Sequence, residues 1–302
     1  MSSITCSGSI ALDITRTPFH IAEMVLGGAA SYFSLAASFF APVSISSIVG
    51  TDFPNEHWEI FKQRNIDTSG VEIKAGKTFH YDSSFSYDLY KRTTLKTELN
   101  VLGGFKPKLS DTAKQSEFLY LATMPPETQL DVLKQSKCKL SFLDTIQFYI
   151  EGSRSALLEV MAKVDGIVLN DDEGRMLSNE VNLVKAGKKI HALGPKIVIL
   201  KKGEHGSLLF FDNNVIPFPA FPLEDLKDPT GAGDAFAGGF VGSLAAQGVD
   251  KKLGLGNLKI AMGYGNVMGS IAVEDFSVHN LDKISMKEVE NRFWDYCELL
   301  KI

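Results

Sequence analysis

From residue 118 onward, short apolar runs alternate with longer amphipathic stretches, and this alternation constrains the fold more than any other feature of the chain. Residues 118–122 read as a strand, 126–135 as a helix and 139–143 as a strand ending at Asp144. Residues 151–163 read as a helix, 166–169 as a strand ending at Asn170 and 173–191 as a helix, with further strands at 196–200 and 207–211. Repeated strand–helix units imply a mainly parallel sheet with helices on both faces, a doubly wound α/β architecture. Ligands of such sheets sit beyond the carboxyl ends of the strands. Asp13, Asp144, Asn170 and the loop 201–206 fall at predicted ends of this kind, which points to one crevice.

The first hundred residues add two features. Residues 4–14 alternate loosely and read as one strand ending at Asp13; 25–51 contain no charged residue, long enough to raise a membrane span. Six serines dilute that stretch, Gly27-Gly28 opens it and Pro42 divides it, so it reads as a helix at 29–40 and a strand at 43–49, with no membrane contact. A short helix is expected at 56–65. Over 71–102, aromatic and β-branched residues mix with Lys, Thr and Asp, which fits a small antiparallel sheet. The 302 residues suffice for one large domain or two modest ones. Lys+Arg number 31 against 36 Asp+Glu, with no basic block, so nucleic acid is not an expected partner. Cys6, Cys138 and Cys297 are scattered, and no His pair has zinc-ligand spacing. The N-terminus lacks a charged segment followed by an apolar core, so a cytoplasmic location is expected.

The chemistry concentrates in DPTGAGDAFAGGF, residues 228–240. Pro229 stops the preceding segment, and Gly231 and Gly233 let the backbone turn tightly. The small and apolar residues 235–246 then read as a buried helix, with Gly238, Gly239 and Gly242 permitting close neighbours at some cost in helicity. A glycine-lined loop that feeds a helix presents free N–H groups to phosphate oxygens. Asp234, in the first turn, has three open roles: a cap, a general base toward an attacking hydroxyl, or a metal ligand. The segment is not a P-loop, and no HRD or DFG set occurs.

Residues 228–239, DPTGAGDAFAGG, resemble the C-terminal signature of the ribokinase-like, or PfkB, carbohydrate and nucleoside kinases, and further landmarks extend the resemblance over nearly the whole chain. The resemblance implies a ribokinase-like domain over 1–302, with a small β-sheet lid at about 14–25 and 71–102. ATP and Mg²⁺ are the implied cofactors. Asp234 would be the catalytic base, and the backbone of Gly231, Ala232 and Gly233 the anion hole. In GSIALD, Asp13 stands where relatives bind a substrate hydroxyl, and Gly27-Gly28 matches the glycine pair that approaches substrate. NDDE, 170–173, resembles the NxxE motif, whose Asn and Glu (here Asn170 and Glu173) organise Mg²⁺-bound water. Without the resemblance the same two residues would be an N-cap and its capping-box partner.

LKKGEHG, 200–206, resembles the loop bordering the nucleotide, with Gly203 and Gly206 in place. Lys201 replaces a common Thr; a phosphate and a carboxylate are both open as its partner. GYGNVMGS, 263–270, resembles the adenine-side helix, with Asn266 as nucleotide contact. Asp228 and 270–277 resemble the monovalent-cation region of many relatives, which brings in K⁺. Relatives often form homodimers through lid strands. Thr78, Phe79 and Tyr81 would face either substrate or the packing of the lid.

Two departures bear on substrate. Many sugar kinases have Asn at the sixth position of the glycine-pair motif, where this chain has Tyr32. Around Asp144, Ile146 and Phe148 replace the Asn and Arg of DxNxR, so a phosphorylated sugar loses its clamp. The expected function is ATP-dependent phosphoryl transfer to an alcohol of a small sugar or related polyol. A nucleoside kinase, which Tyr32 favours, and a non-catalytic nucleotide- or metabolite-binding protein are the alternatives. A dinucleotide-dependent dehydrogenase lacks its GxGxxG after Gly8.

Overall fold

The computed structural model describes residues 2–301. Its strands are β1 (Ile4–Ser7), β2 (Ala11–Arg16), β3 (Ile21–Gly27), β4 (Val43–Gly50), β5 (Asp67–Lys74), β6 (Phe79–Phe85) and β7 (Arg92–Glu98). There follow β8 (Phe118–Leu121), β9 (Leu140–Leu143), β10 (Gly166–Asn170), β11 (Ile197–Lys201), β12 (Ser207–Phe211) and β13 (Asn214–Phe218). Nine of them form one sheet in the order β13-β12-β11-β10-β9-β8-β1-β4-β5. It is parallel from β5 to β11, and β12 and β13 add an antiparallel edge.

Alternate residues of the central strands serve different cores, which is why these strands are mainly apolar instead of alternating with exposed polar positions, with Ser141 of β9 and Thr5 and Ser7 of β1 as buried polar exceptions. Phe118, Tyr120, Leu140, Phe142, Val168 and Ile199 face one cluster. Leu119, Leu121, Leu143, Ile167, Leu169 and Leu200 face the other. The first cluster is covered by helices Ala29–Ala37, Ala232–Ala246 and Leu255–Ala272, the second by Pro126–Gln135, Arg154–Met161 and Leu183–His191. Full burial of one such Phe or Leu contributes roughly 1.5–3 kcal/mol. The doubly wound expectation holds, and no helix among the described residues is long and apolar enough to cross a membrane.

Several expected boundaries shift. The run 4–14 is two strands in two sheets: after Ser7 the chain turns at Gly8, where a Cβ would lie 2.5 Å from the Ala122 Cβ, and enters β2. Asp13 therefore lies within β2 of the smaller sheet and not at a strand end of the large one. The helix expected at 173–191 is two, Asp171–Ser178 and Leu183–His191, because Asn179 turns left-handed (φ 53°) and Asn182 caps the second. The helix expected at 151–163 is likewise split at Ser153. The small sheet has the order β3-β2-β6-β7, while β5 stands at the edge of the large sheet. Helix Met286–Leu299 and β13 had no counterpart in the sequence reading.

Candidate active site

Helix Ala232–Ala246 starts at Gly231, whose φ of 75° is left-handed and has no side-chain cap. Among the described residues the N–H groups of Gly233 and Asp234 find no protein acceptor, whereas that of Ala232 makes a long 3.3 Å bond to Pro229 O. Glycine is required at Gly231, and at Gly233 the missing side chain leaves room for the Lys201 ammonium. A Cβ on Gly231 would lie 2.2 Å from the Tyr32 ring, and one on Gly233 would lie 2.3 Å from Lys201 Nζ. The turn is thus an anion cradle with a lysine ammonium on its flank.

Three parallel strands deliver side chains to this turn. Asp144 follows β9, and Asn170 and Lys201, in register with each other, end β10 and β11. Burial pushes the Asp234 carboxyl up; the Lys201 ammonium, a hydrogen bond with Asp144 and Arg92 of β7 oppose this. Burial and the Asp234 charge push Asp144 up well above the usual carboxylate range. Burial raises Glu173, and Lys201 again opposes it. The Lys201 charge thus acts on three acids, and its ammonium lies against the cradle.

Asn170 and Glu173 form a reciprocal capping box: Glu173 N–H donates to Asn170 Oδ1 at 2.8 Å and Asn170 N–H to Glu173 Oε2 at 2.8 Å. Each keeps one side-chain polar atom, Asn170 Nδ2 and Glu173 Oε1, without a protein partner among the described residues. The local cap is thus fully formed, and half of each side chain stays open to a ligand. Gly203 and Gly206 both have positive φ, 54° and 80°, and Lys202 N–H closes the loop onto Gly206 O at 2.7 Å. Asn266 stands apart: it is 8% exposed, and its amide donates to Met262 O of its own helix at 2.8 Å.

The smaller sheet supplies the acceptor side. Asp13 is 5% exposed, and a Cβ on Gly27 would lie 1.9 Å from its Oδ2. Its Oδ1 is buried without a partner, which suits a substrate hydroxyl. Burial and the nearby Asp228 raise Asp13 to about 7. Tyr32 is only 2% exposed, with its ring packed on Gly231, so it supports the turn and offers no face for a stacked base. Its hydroxyl lies in the fields of Asp228, Asp13 and Asp234. Asp228 is buried; Oδ1 takes the Thr230 N–H at 2.8 Å, and Oδ2 has no partner. The neighbouring Lys227 and Asp228 N–H groups bond to Val273 O, which brings the 270–277 loop alongside.

Two contributors escaped the sequence reading. Arg92 acts on Asp13, Glu173, Asp228 and Asp234 from the lid, yet a lone Arg in a charged hairpin carries no spacing signal. The mutual electrostatic influence of Asp144 and Asp234 joins residues 90 positions apart, and only the fold reveals it.

Residues 7–284 match the model of the pfkB family of carbohydrate kinases. The chain is 31% identical over 252 residues to a cytidine kinase of Thermococcus kodakarensis, covering 80% of this chain and 88% of that protein. The crystal structure of a nucleoside kinase of Methanocaldococcus jannaschii superposes with a TM-score of 0.78 at 22% identity, over 98% of this chain and 99% of that one. A ribokinase of Thermotoga maritima gives 0.77 at 21% identity, over 97% and 100%.

Proposed function

Because the chain belongs to the pfkB family of carbohydrate kinases, we propose that it transfers the γ-phosphoryl group of ATP to a primary hydroxyl of a nucleoside, with Asp234 as base. The observation that carries this reading is the convergence at one turn: free N–H groups of Gly233 and Asp234, the Lys201 ammonium and the Asp234 carboxyl share one crevice. Nucleoside kinase and ribokinase superpose equally well, so the fold does not separate the acceptors. The likeness to a cytidine kinase over four-fifths of the chain favours the nucleoside. Tyr32, buried under Gly231, no longer adds to that preference.

Asp13 Oδ1 and the Gly27-Gly28 backbone hold and orient the acceptor. Asp234 takes the hydroxyl proton as the oxygen attacks, the new O–P bond forms, and the electron pair of the broken bond leaves on ADP. Lys201 and the cradle N–H groups face the equatorial oxygens, where charge is spread during transfer. The open Glu173 Oε1 can accept from a water of Mg²⁺ carried by the phosphates, and the open Asn170 Nδ2 can donate to a phosphate oxygen, so these two residues would hold that ion through water and phosphate. Bound there, Mg²⁺ neutralises phosphate charge. The unpartnered buried Asp228 Oδ2 fits a monovalent cation such as K⁺ beside the turn.

ADP release by the purified protein, screened over nucleosides and free sugars, tests the reading. Nucleoside-dependent release is expected, with product phosphate on the primary hydroxyl; turnover with sugars alone would overturn the acceptor. Asp234→Asn should lower turnover by about 10²–10⁴-fold with ATP binding preserved, and near-wild-type turnover would remove Asp234 as base.

A further inference from the structure

Beyond Asp13 the small sheet runs on into a cleft that the mechanism above does not use. Asp13 and Thr15 are buried on one face of β2, and Thr17 follows the end of the strand, four residues or about 13 Å past Asp13. Thr17 organises the turn between β2 and β3. Its N–H donates to His20 O at 2.9 Å, and its Oγ1 accepts from the Phe19 and His20 N–H groups at 3.3 and 3.1 Å. Two aromatic residues are thereby fixed at the tip of the lid. Phe19 is 66% exposed and meets Tyr87 edge to face at a centroid distance of 5.9 Å.

The opposite wall comes from segments beside the phosphoryl-transfer turn. The Lys227 and Asp228 N–H groups donate to Val273 O at 2.8 and 3.2 Å. Ser277 Oγ donates to Leu26 O at 2.6 Å, one residue before the Gly27 that faces Asp13. Segment 273–277 is thus pinned between β3 and the start of the glycine motif. Between it and the lid tip lies a cleft of about 430 Å³, bounded by Thr17, Phe19 and His20 on one side and by Lys227, Asp275 and Phe276 on the other. His20 packs on Phe276 with ring centroids 4.9 Å apart, and the Phe276 N–H donates to Asp275 Oδ1 at 2.9 Å. Lys227 and Lys283 stand 3.6 and 3.9 Å from the Asp275 carboxylate, outside hydrogen-bond range, so lone pairs stay open to a ligand donor. Singly exposed aromatics need no explanation. Three aromatic rings and a charge pair around a cleft of this volume have the composition of a small-molecule site.

We propose that this cleft is the base subsite of the acceptor: a planar heterocyclic base packs its face on Phe19 and Phe276 and turns its polar edge to Lys227 and Asp275. The inference rests on the reading of the acceptor as a nucleoside. With the reacting hydroxyl at Asp234 and another hydroxyl at Asp13, a free sugar ends at Asp13, whereas a nucleoside continues along the lid toward Thr17. Stacking accepts any base, since each has a π face. The ammonium and the carboxylate supply one donor and one acceptor, and these discriminate between base edges.

Steady-state kinetics of the full-length protein with cytidine and uridine test the subsite. Phe19→Ala should raise the KM for either nucleoside by about 5–150-fold, the range for loss of one base–aromatic stack, with the KM for ATP unaffected. Phe19→Trp should restore it. Asp275→Asn should change the ratio of kcat/KM between cytidine, whose edge carries an amino group, and uridine, which carries a carbonyl there, by at least about tenfold. Calorimetric titration with cytidine in the absence of ATP gives a readout independent of turnover, and the Kd should rise in Phe19→Ala by the same factor. An unchanged KM and Kd in Phe19→Ala, or an unchanged cytidine-to-uridine ratio in Asp275→Asn, would overturn the subsite. So would a change of oligomeric state in Phe19→Ala with intact kinetics, which would make Phe19 a contact between copies of the chain. If the wild type turns over sugars and no nucleoside, the nucleoside reading itself fails; if it turns over nucleosides and both variants match it, the subsite alone fails.

Discussion

Gly27 and Asp13 compete for the same space, and that competition makes the acceptor side testable at single residues. A methyl group on Gly27 would fall 1.9 Å from Asp13 Oδ2, so Gly27→Ala must displace the carboxylate. The expected result is at least about a tenfold loss of kcat/KM for the acceptor, with the KM for ATP unaffected, measured by steady-state kinetics in each substrate. Asp13 also links stability to pH. In the unfolded chain it ionises near the ordinary value of about 3.9, whereas in the fold burial and Asp228 raise it to about 7. The unfolded state thus gives up a proton that the folded state retains, and the stability contribution declines as pH rises from about 4 through 7. Asp13→Asn should therefore be more stable than wild type at pH 8, by on the order of 4 kcal/mol, with the gap closing toward pH 4. Thermal unfolding of both proteins across that range checks it, and a gap independent of pH would be inconsistent with a raised Asp13. Asp13, Gly27 and Asp234 were legible in the sequence because motif and chemistry coincide at each. Tyr32 was legible only as a departure, since burial of its ring under Gly231 depends on packing between distant helices.

Among the elements, helix Ala232–Ala246 shows how glycine converts sequence into proximity. Gly238 has no room for a side chain: a Cβ there would lie 2.4 Å from Phe33 O and 2.8 Å from the Ala36 Cβ. This close approach seats the helix that carries Asp234 against helix Ala29–Ala37. Gly238→Ala should lower unfolding free energy by roughly 1–3 kcal/mol through overpacking, as read by chemical denaturation, despite the better helix propensity of Ala. Gly256, exposed near the start of helix Leu255–Ala272, has nothing within 4 Å of a Cβ. Gly256→Ala should therefore change stability in the opposite direction, by up to about 1 kcal/mol. The element types were readable because central strands buried on both faces are mainly apolar, as in β8, β10 and β11. Their breaks were not: the left-handed Asn179 and the sheet change after Ser7 interrupt patterns whose hydrophobic period continues across them.

Over the whole molecule, the site exists only where two sheets meet. Asp13 comes from the small sheet, and Asp144, Asn170 and Lys201 come from the carboxyl edge of the large one. The β6–β7 hairpin reaches the 201–206 loop, with Tyr90 Cε2 4.0 Å from the Cβ position of Gly203. The sequence located both sheets but not their apposition, because contacts between a lid hairpin and a distant loop leave no periodic trace. Arg92 makes that apposition matter electrostatically. It offsets Asp13, Glu173, Asp228 and Asp234, four acids from separate segments, and with Lys201 it counters a field that would otherwise repel an anionic nucleotide. Arg92 is exposed, so solvent screens its contribution. Arg92→Ala should still lower kcat/KM for ATP by about tenfold, or roughly 1.4 kcal/mol, and the loss should shrink as ionic strength rises. Arg92→Lys, which retains the charge, should recover most of the effect. A loss independent of salt, or equal in the Lys variant, would place the contribution of Arg92 in lid packing over Tyr81 and not in the field across the crevice.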